Sequence, residues 1–195
     1  HPFLFSSSLP KIDFVRIIRG FLKGKRFATP PNFPSRPTTD FAKEGLFNVL
    51  ENRVDLEDMD VLDLCAGTGN ISFEFVSRGV KHLLAIDSHP RCIQYLKGNI
   101  RDLKIEAQMQ AYKSDCVVYC RNAQNVQYDL IFTDPPFHLN FHEELIQTIF
   151  DKKLLKPGGL LIVEHGKQTN LEALPQFSFS RNFGNVHFSF LSDEA

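Results

Sequence analysis

Asp134-Pro135-Pro136-Phe137 closes the apolar run Tyr128 to Thr133 and gathers three groups suited to one kind of chemistry. Two prolines after a strand-like run neither continue a ladder nor start a helix, so the backbone is stiff and its carbonyls stay available. A carboxylate, a rigid carbonyl and an aromatic face result. A planar base with an exocyclic amine fits them: the oxygens accept the amine hydrogens while the ring stacks on the base. Asp134, Pro135, Pro136 and Phe137 are therefore the candidate catalytic residues.

In doubly wound sheets, ligands lie beyond the carboxyl ends of the strands. Four acids fall at such ends: Asp63, Asp87, Asp115 and Asp134. The first opens Asp63-Leu64-Cys65-Ala66-Gly67-Thr68-Gly69-Asn70, whose glycines permit a tight turn and close approach of a ligand to the backbone. A dinucleotide loop would have a third glycine where Ser72 stands, and no acid ahead of it to repel pyrophosphate. Asp63 instead suits a cationic ligand, such as the amino-acid end and sulfonium of S-adenosylmethionine. Asp87 matches the acid that binds both ribose hydroxyls, although Ser88-His89-Pro90 also reads as a helix cap. Ser114 and Asp115 are either a cap or a contact to the adenine amine. The candidate cofactor set is Asp63, Cys65, Ala66, Gly67, Thr68, Gly69, Asn70, Asp87, Ser88, Ser114, Asp115 and Asp134.

These positions need a scaffold, and the pattern supplies one. Apolar runs at 61–64, 82–87, 109–115, 128–134 and 160–164 alternate with amphipathic stretches at 71–78, 90–103, 116–124 and 141–154. That rhythm predicts a mostly parallel sheet covered on both faces. Strict alternation at 177–181 and 186–190 around Gly184-Asn185 predicts a hairpin, hence an antiparallel edge. Upstream, 15–18 and 25–28 around Gly20 and Gly24 predict a small hairpin arm outside the core. A proline-rich stretch follows, then a helix starting near Thr38 or Thr39. The expected division is a disordered extension at 1–14, a basic arm at 15–37 and one α/β domain at 38–195. Lys156-Pro157-Gly158-Gly159 reads as a turn.

At 195 residues and 43% hydrophobic, the chain suits one well-buried core. No apolar stretch approaches the roughly 20 residues of a membrane helix. Cys65, Cys92, Cys116 and Cys120 form no CxxC pattern and read as reduced core thiols of a cytoplasmic protein. His138 and His142 lack the order of a zinc motif, so no metal is expected. Net charge is −1, but Phe14 to Thr39 carries six basic residues and no acid, against 16 basic and 23 acidic elsewhere. A phosphate backbone would be drawn to that segment, although a solvated basic loop has the same composition.

Asp-x-x-Ala-Gly-Thr-Gly, a ribose acid, a strand-end Asp and Asp-Pro-Pro-Phe, in that order, resemble the class I S-adenosylmethionine-dependent amino-methyltransferases. Arg16-Ile17-Ile18-Arg19-Gly20, Lys23-Gly24, Arg36-Pro37-Thr38-Thr39-Asp40 and Lys43-Glu44-Gly45-Leu46-Phe47-Asn48 narrow the likeness. With Glu74-Phe75-Val76-Ser77-Arg78-Gly79 and Asn99, they resemble the RsmD family of small-subunit ribosomal RNA guanine-N2 methyltransferases, from about Val15 to Phe190. Arg19 stands where that family usually has glycine, and Cys65 where an aromatic is common.

The resemblance implies a Rossmann-like class I methyltransferase fold with S-adenosylmethionine as cofactor. It implies methyl transfer to the N2 amine of a guanine in ribosomal RNA, in an assembled or partly assembled small subunit. Asp134 and the Pro135 carbonyl would hold the amine and Phe137 would stack on the flipped guanine. Arg16, Arg19, Lys23, Lys25, Arg26, Arg36 and Thr38 would contact RNA. Ribosomal RNA is the expected partner, with no membrane, and the chain is expected to act as a monomer. Two rivals stay open: an amino-methyltransferase of DNA adenine or protein glutamine, and a non-catalytic cofactor-binding module docked on ribosomal RNA. Asp134 weighs against the glutamine branch, where Asn is usual, and 195 residues leave no room for the target-recognition domain of adenine enzymes.

Overall fold

Runs such as Val61 to Leu64 and Leu130 to Phe132 are apolar on both sides, so they need cover on both faces. The computed structural model describes residues 12–136 and 141–193, and it provides that cover. A hairpin of β1 (Phe14–Arg16) and β2 (Arg26–Ala28) comes first, followed by α1 (Asp40–Glu51). Then β3 (Asp60–Leu64), α2 (Asn70–Ser77), β4 (His82–Asp87), α3 (Pro90–Asp102), β5 (Met109–Lys113), α4 (Cys116–Asn122), β6 (Tyr128–Thr133), α5 (Phe141–Asp151) and β7 (Leu155–His165) alternate. The antiparallel pair β8 (Phe177–Phe183) and β9 (Val186–Leu191) closes the chain's described part.

The large sheet has the order β5-β4-β3-β6-β7-β9-β8. Strands β5 to β7 pair in parallel, and β9 joins β7 antiparallel. Val61, Leu83, Leu130, Phe132 and Ile162 face α1, α2 and α3. Leu62, Leu64, Ile131, Leu161 and Val163 face α4 and α5. The helices start where the side chains allow: the Thr39 hydroxyl accepts from Ala42 N at 3.2 Å, and Pro90 opens α3 behind His89.

Two expectations change. Lys156 to Gly159 is not a turn but part of β7, where the register against β6 shifts between Tyr128 and Leu130. Lys156 is held there by Asp60 and Asp129, each at 2.9 Å. The arm, in turn, is not separate from the core: Val15, Ile17 and Leu22 are buried against α1 and α2. Strand β1 also takes in Phe14, the last residue of the expected extension.

Polar groups secure that docking. The Glu74 carboxylate, fully buried, accepts from Ile18 N at 3.0 Å and Arg19 N at 3.1 Å. Lys43, equally buried, lies 3.5 Å from Glu74 and donates to Arg16 O and, at 2.8 Å, to Asn70 Oδ1. Burial lowers the Lys43 ammonium's pKa, an effect that Glu74 opposes. Arg78 gives Glu74 a second cation at 2.9 Å, so the buried charge is fully compensated.

Candidate active site

From β3 the chain winds outward through β4 to β5, then returns to β6 on the other side of β3 and continues to β7. Crossover loops part at such a reversal and leave a crevice beyond the strand ends. A cleft of about 520 Å³ lies there, walled by Cys65, Gly67, Asp87, Ser88, Asp115, Asp134, Pro135 and Pro136 among the expected residues. A small recess behind it is walled by Asp63, Ala66, Thr68 and Asn70.

The loop after β3 is stretched across this crevice. Gly69 has φ +73, and a β carbon there would lie 2.5 Å from Leu96 Cδ2, so only glycine fits at the start of α2. Cys65 adopts φ 62, a conformation that costs a non-glycine residue about 1–3 kcal/mol. Its sulfur lies 3.0 Å from that of Cys116, at the start of α4. This hydrogen bond and burial push the Cys65 thiol well up, so Cys65 gives the cleft a neutral wall.

Each strand-end acid is differently held. Asp63 is 1% exposed; its Oδ2 accepts from Ser72 Oγ at 2.5 Å, while its buried Oδ1 has no partner among the described residues. Burial raises its pKa to about 8, against the Ser72 bond, with help from Asp134 and Asp87. A cationic group beside Oδ1 would satisfy that atom and its charge together, so the site fits the ammonium of S-adenosylmethionine. Asp87 accepts from Gly67 N and His89 N, each at 2.9 Å, which locks its carboxylate between the loop and α3. Asp115 caps α4 through Val118 N at 2.9 Å and also walls the cleft, so the cap and ligand readings are compatible. The Ser114 hydroxyl turns to Asp115 O and is not part of the wall. Asn70 is turned inward, between Lys43 and Thr38 O.

Asp134 follows β6 directly, and burial raises its pKa to about 7. Pro135 is buried behind it. Phe137 lies outside the described residues, as does His138. Beside Asp134 stands Glu164: β6 and β7 pair Thr133 with Val163, so the next step brings these two acids abreast. Glu164 is 5% exposed, accepts from Thr38 Oγ1 at 3.2 Å, and is raised well above the carboxylate range by burial and by Asp134. Asp63, Asp134 and Glu164 thus form one buried acidic cluster.

The basic residues divide. Arg16, Arg19, Lys23, Lys25, Arg26 and Arg36 are all exposed. Arg16 pairs with Asp40 and Arg19 with Glu51, so the folded arm is less positive than its sequence. Arg26 stacks on Phe14, 3.7 Å from the ring centre. Arg36 instead walls the cofactor cleft, and Thr38 is bound to Glu164. Glu164, Cys116 and Cys92 belong to the site without a motif to announce them. Glu164's signal is only its place, the penultimate residue of the strand beside β6.

Among the described residues, no group of three or more His, Cys, Asp or Glu side chains is arranged to hold a metal ion. No described helix is long and apolar enough to cross a membrane.

A sheet of this order with an antiparallel edge hairpin, acids at the ends of β3 and β4, and Asp-Pro-Pro after β6 is the Rossmann-like class I methyltransferase architecture. The model of the family described as Conserved hypothetical protein 95 matches residues 15–192, and the chain belongs to that family, the RsmD family. Ribosomal RNA small subunit methyltransferase D of Haemophilus influenzae is 33% identical over 159 residues, 80% of this chain and 81% of that protein. Among solved structures, YhhF of Escherichia coli matches with a TM-score of 0.77 at 28% identity, over 91% of this chain and 96% of that one. The fold is also that of the 16S rRNA N2 G1207 methyltransferase RsmC of Thermus thermophilus, solved with AdoMet and guanosine. The TM-score is 0.74 at 20% identity, over 93% of this chain and 50% of that one.

Proposed function

We propose that this chain methylates the exocyclic N2 amine of a guanine in small-subunit ribosomal RNA, as a cytoplasmic enzyme acting on the assembled or partly assembled subunit. The observation that carries the reading is the juxtaposition of Asp134-Pro135-Pro136, at the cleft, with the recess behind it, where the buried Asp63 has one oxygen without a partner among the described residues. The family relatives named small subunit methyltransferase D support ribosomal RNA as the substrate. S-adenosylmethionine supplies an electrophilic methyl carbon on a sulfonium sulfur. Asp63 holds its ammonium, Asp87 its ribose hydroxyls, and the Asp115 turn its adenine. Asp134 and the Pro135 carbonyl accept the amine hydrogens and so aim the nitrogen lone pair along the line of displacement. Above about pH 7 the Asp134 carboxylate is ionised and able to take a proton at that nitrogen.

Asp134→Ala should bind S-adenosylmethionine nearly as the wild type does, yet transfer no labelled methyl to subunits from a strain lacking this protein. Wild-type-like transfer by that variant would refute the assignment, and mapping the labelled nucleoside identifies the base. Lys23, Lys25 and Arg26 on the hairpin contact phosphates in this reading. Neutralising all three should reduce the slope of log affinity against log salt by up to about 3.

A further inference from the structure

Phe41 is a large ring in the first turn of α1 with 64% of its surface exposed. An isolated exposed phenylalanine is unremarkable, but this one follows a segment that a hydrogen bond ties to the acceptor side of the cleft. Thr38, three residues before it, donates to Glu164 near the end of β7, which brings the start of α1 to the strand ends where Asp134 lies. Phe183 meets the Phe41 ring edge to face, with centres 5.9 Å apart and planes at 84°.

Phe183 ends β8, which runs in the direction of β7 because both are antiparallel to β9. The hairpin tip therefore sits at the same end of the sheet. Its ring is seated on α1 at Gly45, where a β carbon would stand 2.2 Å from Phe183 Cε1, so the helix keeps a glycine for this ring to rest on. Phe183 is thereby fixed, and it fixes Phe41. Beside Phe41, Asp40 holds the exposed guanidinium of Arg16. A rigid exposed aromatic beside the Arg16–Asp40 ion pair, next to a site for an extruded base, matches one occupant by shape.

We propose that Phe41 is the stacking site for an unpaired RNA base that flanks the target guanine. This rests on the ribosomal RNA methyltransferase reading above. The flanking base lies on the Phe41 face, and the target base reaches Asp134.

The chain contains no tryptophan, so Phe41→Trp places a single reporter at the site. Unmethylated small subunits, added with S-adenosylmethionine, should quench its emission by half or more and shield it from iodide. Phe41→Ala should raise KM for subunits about tenfold, with kcat and cofactor affinity unchanged, and Phe41→Trp should restore KM. An unaltered KM in Phe41→Ala, or unquenched emission from bound Phe41→Trp, overturns the proposal. Blue-shifted, unquenched emission also overturns it, because it indicates burial against a protein surface. If wild-type enzyme does not methylate subunits, the functional reading fails. If it does while the Phe41 variants show no such effects, only the stacking site fails.

Discussion

On the cofactor half of the cleft, acids are held by backbone donors close by: Asp87 by His89 and by Gly67 of the neighbouring loop, Asp115 by Val118. On the acceptor half, Glu164 is held by Thr38, 126 residues away in sequence. Thr38 is tied in turn by Asn70 and Lys43 to the hairpin. The first half follows from two consecutive βαβ units, β3 to β5, and their loops. The second exists only when the arm is docked, so changes in the buried network should damage the acceptor half before the cofactor half.

Lys43→Met is the strongest test of that difference. It leaves Glu74 paired with Arg78 but strips the Arg16 carbonyl and the buried Asn70 Oδ1 of their donor, a loss worth about 3 kcal/mol. At this chain length that lowers Tm by about 10 °C. Below the transition, kcat should fall while cofactor affinity stays within about threefold. A collapse of cofactor affinity alongside stability would show that the two halves are one unit.

Asp63 governs the next largest effect. Its carboxyl must ionise to hold an ammonium, and in the free protein its pKa is about 8. Cofactor affinity should therefore rise about tenfold per pH unit from 6 to 8 and then level, with a proton released on binding. Calorimetry in two buffers of different ionisation enthalpy counts that proton. Asp63→Asn should bind weakly with no such slope. Folding has the opposite sign, because the folded state holds this proton more tightly than the unfolded chain does. The cofactor-free protein should thus lose stability as pH rises from about 4 to 8, and Asp63→Asn should melt higher than wild type at pH 8.

This contrast also explains what the sequence could reveal. Asp63, Asp87, Asp115 and Asp134 were legible because each lies within two residues of a strand end, and strand ends follow from local apolar runs. Thr39 announced α1 in the same way. Glu164 was illegible, since its role arises from strand order, which brings β7 beside β6 across a long connection. The Lys43–Glu74 pair was hidden for the same reason. Its residues belong to two helices, and only docking of the arm makes them buried. Lys156 to Gly159 misled because Pro-Gly-Gly has turn composition, whereas a register shift lets β7 carry it.

Glu164→Gln sharpens the comparison further. The amide keeps the Thr38 hydrogen bond and removes a buried acid whose pKa is raised by burial and by Asp134. Wild-type stability must fall as pH rises from the ordinary glutamate range toward this group's raised value, and the variant should fall less, with a Tm advantage that grows with pH over that interval. Asp63→Asn has the same alkaline advantage but loses the cofactor, whereas Glu164→Gln should keep it. Loss of cofactor affinity in Glu164→Gln would place this acid in the cofactor half.

The smallest effects come from two helix caps, one in each half. Thr39 caps α1 through Ala42 N, and Asp115 caps α4 through Val118 N. Thr39→Ala and Asp115→Ala should each cost about 1 kcal/mol, a Tm loss of about 2–4 °C. Their functional consequences should differ. Asp115 walls the cofactor cleft, so its loss should weaken cofactor binding several-fold. Thr39 caps the helix that carries Phe41 and does not wall the cofactor cleft, so its loss should leave cofactor affinity intact and raise KM for subunits. Equal loss of cofactor affinity in both variants would mean that capping rigidity, and not position in the cleft, sets binding.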